Sequence, residues 1–141
     1  MKAAILVESL TGHTWKAAEA IAGNLVQEGW NIVGLQSMRR PDHRAIQEAD
    51  IVLVGTWVHG AFVFGQAPWN LAALRALPAM AGKRAATFCT FAINPGRTLD
   101  VMDRTVTGLG ADVVGGLALH RAKIAAHAEE FATRLCGALT A

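Results

Sequence analysis

The chain has 141 residues, the length of one domain with a buried core, and we expect residues 1–141 to form a single domain. Hydrophobic residues make up 52% of it and charged residues 17%, which excludes an intrinsically disordered protein. A formal net charge of +2 without a stripe of Lys and Arg excludes a nucleic-acid-binding protein. Apolar runs are too short for a secretory signal or a membrane span. With only two cysteines, we expect a cytoplasmic protein.

Apolar runs and helical patterns alternate along the first part of the chain. Residues 3–7 predict a buried strand, and the apolar spacing of residues 13–28 predicts a helix. A second strand is predicted over residues 31–35, followed by one or two helical turns from Asp42. The near-continuous apolar run at residues 51–55 predicts a third strand, of the kind found in the centre of a parallel sheet.

The alternation continues after a long predicted loop at residues 56–68. Strands are predicted over residues 85–91 and 113–119, and the pair Gly115-Gly116 in the latter indicates a bulge or close packing. Helices are predicted over residues 69–77, 98–109 and 122–139. Five strands separated by helices favour a parallel sheet with helices on both faces. Because ligands of such sheets bind beyond the carboxyl ends of the strands, the loops after the first, third and fourth strands are candidate sites.

The loop after the first strand has the composition of a phosphate site. Ser9, Thr11 and Thr14 supply hydroxyl groups, Gly12 allows a close approach of the backbone, and the following helix presents unpaired N–H groups. The alternative is that Thr11 only caps the helix. P-loop, dinucleotide and Cys-based phosphatase motifs are absent, and no aspartate of a receiver domain follows the third strand.

Two later loops carry aromatic residues that could hold a flat heterocycle. Trp57 directly follows the third strand, where its ring can stack on a ligand. Phe62 and Phe64 are better interpreted as residues that are buried under the same loop. Phe91 ends the fourth strand and is followed by turn-forming residues 92–96, whose N–H groups could reach the carbonyl groups of a ring.

On these loops the chain resembles the flavodoxin family over almost its whole length. The family's phosphate loop, Ser/Thr-x-Thr-Gly-x-Thr, is matched by Ser9, Thr11, Gly12 and Thr14. The segments ADIVLVGTW and FCTF resemble its third and fourth strands with their flavin loops. The resemblance implies a flavodoxin-like three-layer αβα sandwich, with a five-stranded parallel sheet in the order 2-1-3-4-5, and an FMN cofactor.

The resemblance also implies which residues bind FMN. Trp57 and Phe91 would flank the isoalloxazine ring, and the backbone from Thr90 to Asn94 would lie near its pyrimidine edge. The expected FMN-binding residues are Ser9, Leu10, Thr11, Gly12, His13, Thr14, Thr56, Trp57, Val58, His59, Gly60, Thr90, Phe91, Ala92 and Asn94. No catalytic residue and no metal ligand is predicted.

The chain departs from the family at several positions. His13 stands where Asn is common, and there is no tyrosine to stack on the flavin. Val58 stands where the family often has glycine, and a β-branched residue resists the peptide rotation that accompanies one-electron reduction in the family. The mildly basic composition, with Arg97 beside the second flavin loop, contrasts with the acidic surroundings of the flavin in carrier flavodoxins.

Three functions are therefore open. We favour an electron carrier that serves redox partner proteins, over an FMN-dependent reductase that uses NAD(P)H on quinones or nitro compounds. The third is a module without flavin that binds a partner. We expect a monomer or weak dimer, with no nucleic-acid or membrane partner.

Three side chains near these loops are interpreted as structural. Glu8 is expected to end the first strand and pair with a surface cation. His59 is interpreted as a surface histidine of the loop, and Cys89 as an inert buried residue of a strand.

Overall fold

Strands and helices alternate along the residues that the computed structural model describes, which are 1–9, 12–59 and 67–140. The strands are β1 (Lys2–Val7), β2 (Asn31–Ser37), β3 (Ile51–His59), β4 (Ala67–Pro68), β5 (Arg84–Phe91) and β6 (Asp112–His120). The helices are α1 (His13–Gln27), α2 (His43–Glu48), α3 (Leu71–Arg75), α4 (Thr98–Gly108) and α5 (Ile124–Thr140).

Five strands form a parallel sheet in the order β2-β1-β3-β5-β6, and the short β4 pairs with β3 in the antiparallel direction. Since β5 and β6 are the fourth and fifth parallel strands, the order 2-1-3-4-5 expected from the sequence is confirmed. The carboxyl ends of the parallel strands, and the loops that leave them, therefore lie along one edge of the sheet.

Helices cover both faces of the sheet because successive side chains of a strand point to opposite faces. In β1, Ile5 packs into a core shared with α1 and α5, whereas Leu6 packs into a second core with α2, α3 and α4. The expected three-layer αβα sandwich is thus confirmed.

The third strand is longer than its sequence predicted. The expected loop from residue 56 is wrong over its first four residues, since β3 runs on to His59. Thr56 and Trp57 pair with the end of β5, and Val58 pairs with Pro68 of β4. The strand continues because partners on both sides take up its backbone groups, and this brings Trp57 into the sheet.

The third helix is shorter than predicted, and it begins at Leu71 instead of Trp69. Asn70 has a positive φ of 55° and forms the N-cap, its side chain accepting a hydrogen bond from the N–H of Ala73. The backbone N–H of Trp69 is used elsewhere, since it donates to the carbonyl of Trp57 at 2.9 Å.

The glycine pair in β6 is associated with both of the features that its sequence indicated. The register against β5 shifts between Ala85 and Ala86, which leaves Val114 between the paired residues Val113 and Gly115. A Cβ atom at Gly116 would lie 2.6 Å from Thr87 Oγ1, so only glycine allows this approach of the two strands.

Candidate functional site

The segment between β1 and α1 presents an open helix N-terminus. Gly12 is the N-cap of α1 with a left-handed φ of 88°, and its N–H donates to Ser9 Oγ at 3.1 Å. Among the described residues no side chain caps the helix, and its first turn contains no acidic residue. The N-cap position therefore belongs to Gly12 and not to Thr11, which lies with Leu10 outside the described residues. An uncapped N-terminus of this kind fits an anion.

Two buried threonines connect this segment to the end of β5. Thr14 Oγ1 and Thr90 Oγ1 share a hydrogen bond of 2.7 Å, and both residues are buried. The candidate phosphate loop and the second aromatic loop, which are far apart in sequence, are thereby held at a fixed distance. Both threonines belong to the set expected from the sequence.

Trp57 is in ring contact with Trp69, a residue that sequence reasoning did not select. Their ring centroids are 5.2 Å apart with planes tilted by 34°. Thr56 Oγ1 donates to the carbonyl oxygen of Trp69 at 2.9 Å, and the N–H of Trp69 donates to the carbonyl of Trp57. Thr56 is buried, so its hydroxyl bond holds the backbone of Trp69 against β3.

The two aromatic loops border one open crevice. Its lining consists of His13, Trp57, Val58, Thr90, Phe91, Ala92 and Arg121. All of these except Arg121 were expected from the sequence. A crevice with an indole on one wall and a phenyl ring on another fits a flat heterocycle.

Arg121 was missed because sequence reasoning did not examine the loop after the fifth parallel strand. Its N–H donates to the carbonyl of Phe91 at 2.9 Å, which joins the ends of β5 and β6. Beside it, the His120 ring contacts Phe91 edge to face, with centroids 5.1 Å apart. The position of Arg121 directly after the last parallel strand could have identified it, because every parallel strand ends at the same edge of the sheet.

The other expected residues lie elsewhere or are not described. Asn94 closes its own turn, since its side-chain oxygen accepts a hydrogen bond from the N–H of Gly96 at 2.8 Å. Gly60, Phe62 and Phe64 lie outside the described residues, and the backbone of His59 forms the end of β3.

Glu8 forms the ion pair that the sequence predicted, but it does so as a buried residue. It is 3% exposed, and Nε of Arg39 donates to both carboxylate oxygens at 3.1 and 3.2 Å. Nη2 of Arg39 lies 3.0 Å from Oε1. The pair lines a cavity together with Ser9 and Trp15, beside the candidate phosphate loop.

Other candidate groups have structural surroundings. Cys89 is fully buried in β5, and this burial raises the pKa of its thiol to about 12, so it remains protonated at neutral pH. Arg97 is exposed and lies 4.0 Å from Asp100.

Within residues 1–9, 12–59 and 67–140, no group of three His, Cys, Asp or Glu residues could hold a metal ion. No helix in that part of the chain is long and apolar enough to cross a membrane.

A 2-1-3-4-5 parallel sheet with helices on both faces is the flavodoxin-like fold, and the described loops at its carboxyl edge border the crevice. The family model of the Flavodoxin domain matches residues 4–112, and the chain belongs to that family. The resemblance stated from the sequence is therefore confirmed. No curated protein sequence gives a significant match.

Solved structures show the same fold at low sequence identity. A cysteine-to-serine mutant of flavodoxin from Pseudomonas aeruginosa is 22% identical, with a TM-score of 0.73 and 100% of both chains covered. The two-electron reduced flavodoxin of Megasphaera elsdenii is 18% identical, with a TM-score of 0.71 over 93% of this chain and 98% of that one. Rubredoxin:oxygen oxidoreductase from Desulfovibrio gigas is 20% identical, with a TM-score of 0.69 over 99% of this chain and 37% of its own.

Proposed function

We propose that this protein binds FMN and carries electrons between redox partner proteins. The observation that carries the proposal is the fixed spacing of a helix N-terminus with a glycine N-cap and a Trp–Phe crevice, joined by the Thr14–Thr90 hydrogen bond. A phosphate and a flat ring are the two ends of FMN, and membership of the Flavodoxin domain family favours FMN over other ligands that combine a phosphate with a flat ring. Bound FMN would supply the redox chemistry.

The chain's own residues would bind and orient the cofactor. Ser9, Gly12 and the N-terminal N–H groups of α1 would hold the phosphate without a buried Lys or Arg. Trp57, supported by Trp69, would form one wall of the ring site and Phe91 another. The remaining expected residues, from Leu10 to Asn94, belong to the same proposal.

A carrier needs no acid–base group of its own, and the crevice supplies little of that kind. His13 and Arg121 are the titratable residues among its lining, and no carboxylate faces it there.

We propose further that the protein acts in the cytoplasm as a single domain, as a monomer or weak dimer. Two free cysteines agree with a reducing compartment.

A reductase that takes hydride from NAD(P)H is the second candidate. It is favoured by the pairing of Val58 and His59 with β4, which holds their peptide in one orientation. A protein that disfavours one-electron steps is suited to two-electron chemistry. Consumption of NAD(P)H and a quinone by the loaded protein alone, without a partner, would favour this candidate.

The phosphate loop is tested by comparing FMN with riboflavin, which lacks the phosphate. Titrations of unloaded protein, followed by quenching of flavin fluorescence, should show clearly tighter binding of FMN. Thr11→Ala should weaken FMN binding by about 1.5–3 kcal/mol, through loss of a hydrogen bond to a charged group, and leave riboflavin unaffected. Thr107→Ala, at an exposed position of α4, is the matched control. Equal affinities for FMN and riboflavin would refute the proposed phosphate site.

A further inference from the structure

The charges of this molecule are distributed unequally between the two edges of its sheet. We call the described loops that follow β1, β2, β5 and β6 the carboxyl-edge loops; they are residues 8, 9, 12, 38–42, 92–97 and 121–123. Their cations are Arg39, Arg40, Arg97, Arg121 and Lys123, and their acids are Glu8 and Asp42. Their formal charge is therefore +3, compared with +2 for the entire chain.

The opposite edge of the sheet carries no net formal charge. Its loops, which we call the amino-edge loops, are residues 28–30, 49–50, 76–83 and 109–111. They contain Glu28, Asp50 and Lys83, and the first residues of the strands add Lys2, Arg84 and Asp112, which gives a formal charge of 0 for this edge. The positive charge of the molecule is therefore concentrated at the edge that carries the candidate flavin site.

The two acids of the carboxyl-edge loops are engaged within the fold. Glu8 is buried against Arg39, and Asp42 Oδ1 accepts hydrogen bonds from the N–H groups of Arg44 and Ala45 at the start of α2. Neither carboxylate is free to neutralise the remaining cations.

Most of the cations of these loops are available to a partner. Arg40, Arg121 and Lys123 are exposed and form no ion pair within the described part of the chain. Arg97 lies 4.0 Å from Asp100 with both side chains exposed, a pair that water screens strongly. This edge therefore presents an uncompensated positive surface to solvent.

An exposed apolar residue lies among these cations. Ile93 is 65% exposed and follows Ala92, which lines the crevice with Trp57 and Arg121. An apolar centre with a charged rim is the usual composition of a protein–protein interface. The cations come from separate loops and form no continuous stripe, which favours a protein partner over a nucleic acid.

We infer that the carboxyl-edge loops form a docking surface for a redox partner protein whose own docking face is acidic. The inference rests on the proposed function, because a flavin in the crevice would lie within this surface. Opposite charges would steer the encounter, and such steering weakens as salt screens it.

The first test maps the surface by a readout that does not depend on bound flavin. Poly-L-glutamate is added to isotope-labelled protein, with and without FMN, and amide shifts are recorded by NMR. We expect shifts in the carboxyl-edge loops that disappear at high salt. Arg121→Gln/Lys123→Gln should weaken binding by about threefold or more. The matched control, Lys2→Gln/Arg84→Gln, removes two exposed cations at the opposite edge and should change binding by less than that.

The second test uses small one-electron oxidants of opposite charge on the FMN-loaded, reduced protein. Each reaction moves one electron to the metal centre, giving iron(II) from hexacyanoferrate(III) or cobalt(II) from tris(phenanthroline)cobalt(III). The rate with the trianion should fall with added salt and in Arg121→Gln/Lys123→Gln, whereas the rate with the trication should rise.

The outcomes separate this inference from the proposed function. Binding of poly-L-glutamate at these loops by a protein that does not bind FMN would contradict only the proposed function. Equal effects of the two double variants, shifts at the amino-edge loops, or tighter binding of duplex DNA than of poly-L-glutamate would overturn the inference.

Discussion

At the scale of single residues, the Glu8–Arg39 pair links the stability of the fold to the candidate site. Burying a carboxylate costs free energy unless it is paired with a cation and hydrogen-bonded. The guanidinium of Arg39 supplies both the positive charge and the hydrogen bonds to Glu8. Glu8 also directly precedes Ser9 of the candidate phosphate loop. An unpaired negative charge there would oppose the phosphate of FMN, so the pair supports both the fold and the proposed binding.

We predict that Arg39→Gln lowers the free energy of unfolding by about 1–3 kcal/mol. The penalty of an unpaired buried charge is larger, but Arg39 is 61% exposed, so solvent already screens its side of the pair. Denaturant unfolding at neutral pH measures the effect. The double variant Glu8→Gln/Arg39→Gln should recover most of the loss, because no buried charge remains.

Arg40→Gln is the control for this prediction, since it removes an exposed neighbouring arginine. If Arg39→Gln is no less stable than Arg40→Gln, the pair does not stabilise the protein. In the loaded protein, Arg39→Gln should also weaken the binding of FMN more than that of riboflavin.

Some residues of the candidate site were predictable and others were not. The hydroxyl-and-glycine segment at Ser9 and Gly12 is local in sequence, so its pattern could be read directly. Arg39 and Arg121 approach the site from other loops, and no local pattern indicates which of 13 Lys and Arg residues does so. Trp69 was missed for the same reason, since its contact with Trp57 depends on β4.

At the scale of elements, the extension of β3 changes the expected behaviour of the flavin loop. The peptide between Val58 and His59 lies in register with Pro68 and Ala67. The carbonyl oxygen of Trp57, the residue before this pair, accepts a hydrogen bond from the N–H of Trp69. Rotating this peptide would disturb the pairing and would place a β-branched residue in an unfavourable backbone region.

We predict that Val58→Gly makes the first one-electron reduction of the bound flavin easier relative to the second. Relief of about 1–3 kcal/mol of backbone strain corresponds to about 40–130 mV in the potential of the first step. Anaerobic stepwise reduction followed by absorption spectroscopy gives both potentials. Val58→Ala keeps the backbone restriction and is the control. Equal shifts in the two variants would show that the side chain acts by contact and not through the backbone.

The centres of the elements were predictable, whereas several boundaries were not. The apolar runs of β1, β3 and β5 are long enough to be identified as buried strands from sequence. The end of β3 depends on its pairing with β4 and β5, which a local pattern does not contain. The start of α3 depends on the positive φ of Asn70, which only the assembled turn imposes.

At the scale of the whole molecule, the topology explains why the site lies where it does. The strand order reverses at β1, whose neighbours are β2 and β3. Ligands of open parallel sheets bind at such a switch point, outside the carboxyl ends of the strands. The candidate phosphate loop follows β1 and Trp57 lies near the end of β3, so the candidate site flanks this position. The alternation of strands and helices made this edge predictable from sequence.

The charge distribution, in contrast, follows from the assembled fold. A net charge of +2 is small, and it becomes informative only when the loops are grouped by the edge at which they lie. Positive charge around the candidate flavin site contrasts with the acidic surroundings expected of a carrier flavodoxin. We therefore expect this protein to share its cofactor with such carriers and to differ from them in the charge of the partner that it binds.

The most direct measurement is the absorption spectrum of the purified protein, followed by identification of the flavin that denaturation releases. We predict a flavin spectrum in the visible blue and about one FMN per chain, or uptake of FMN to that level when it is added. A colourless protein that takes up no FMN, or one that binds flavin without regard to its phosphate, would contradict the account.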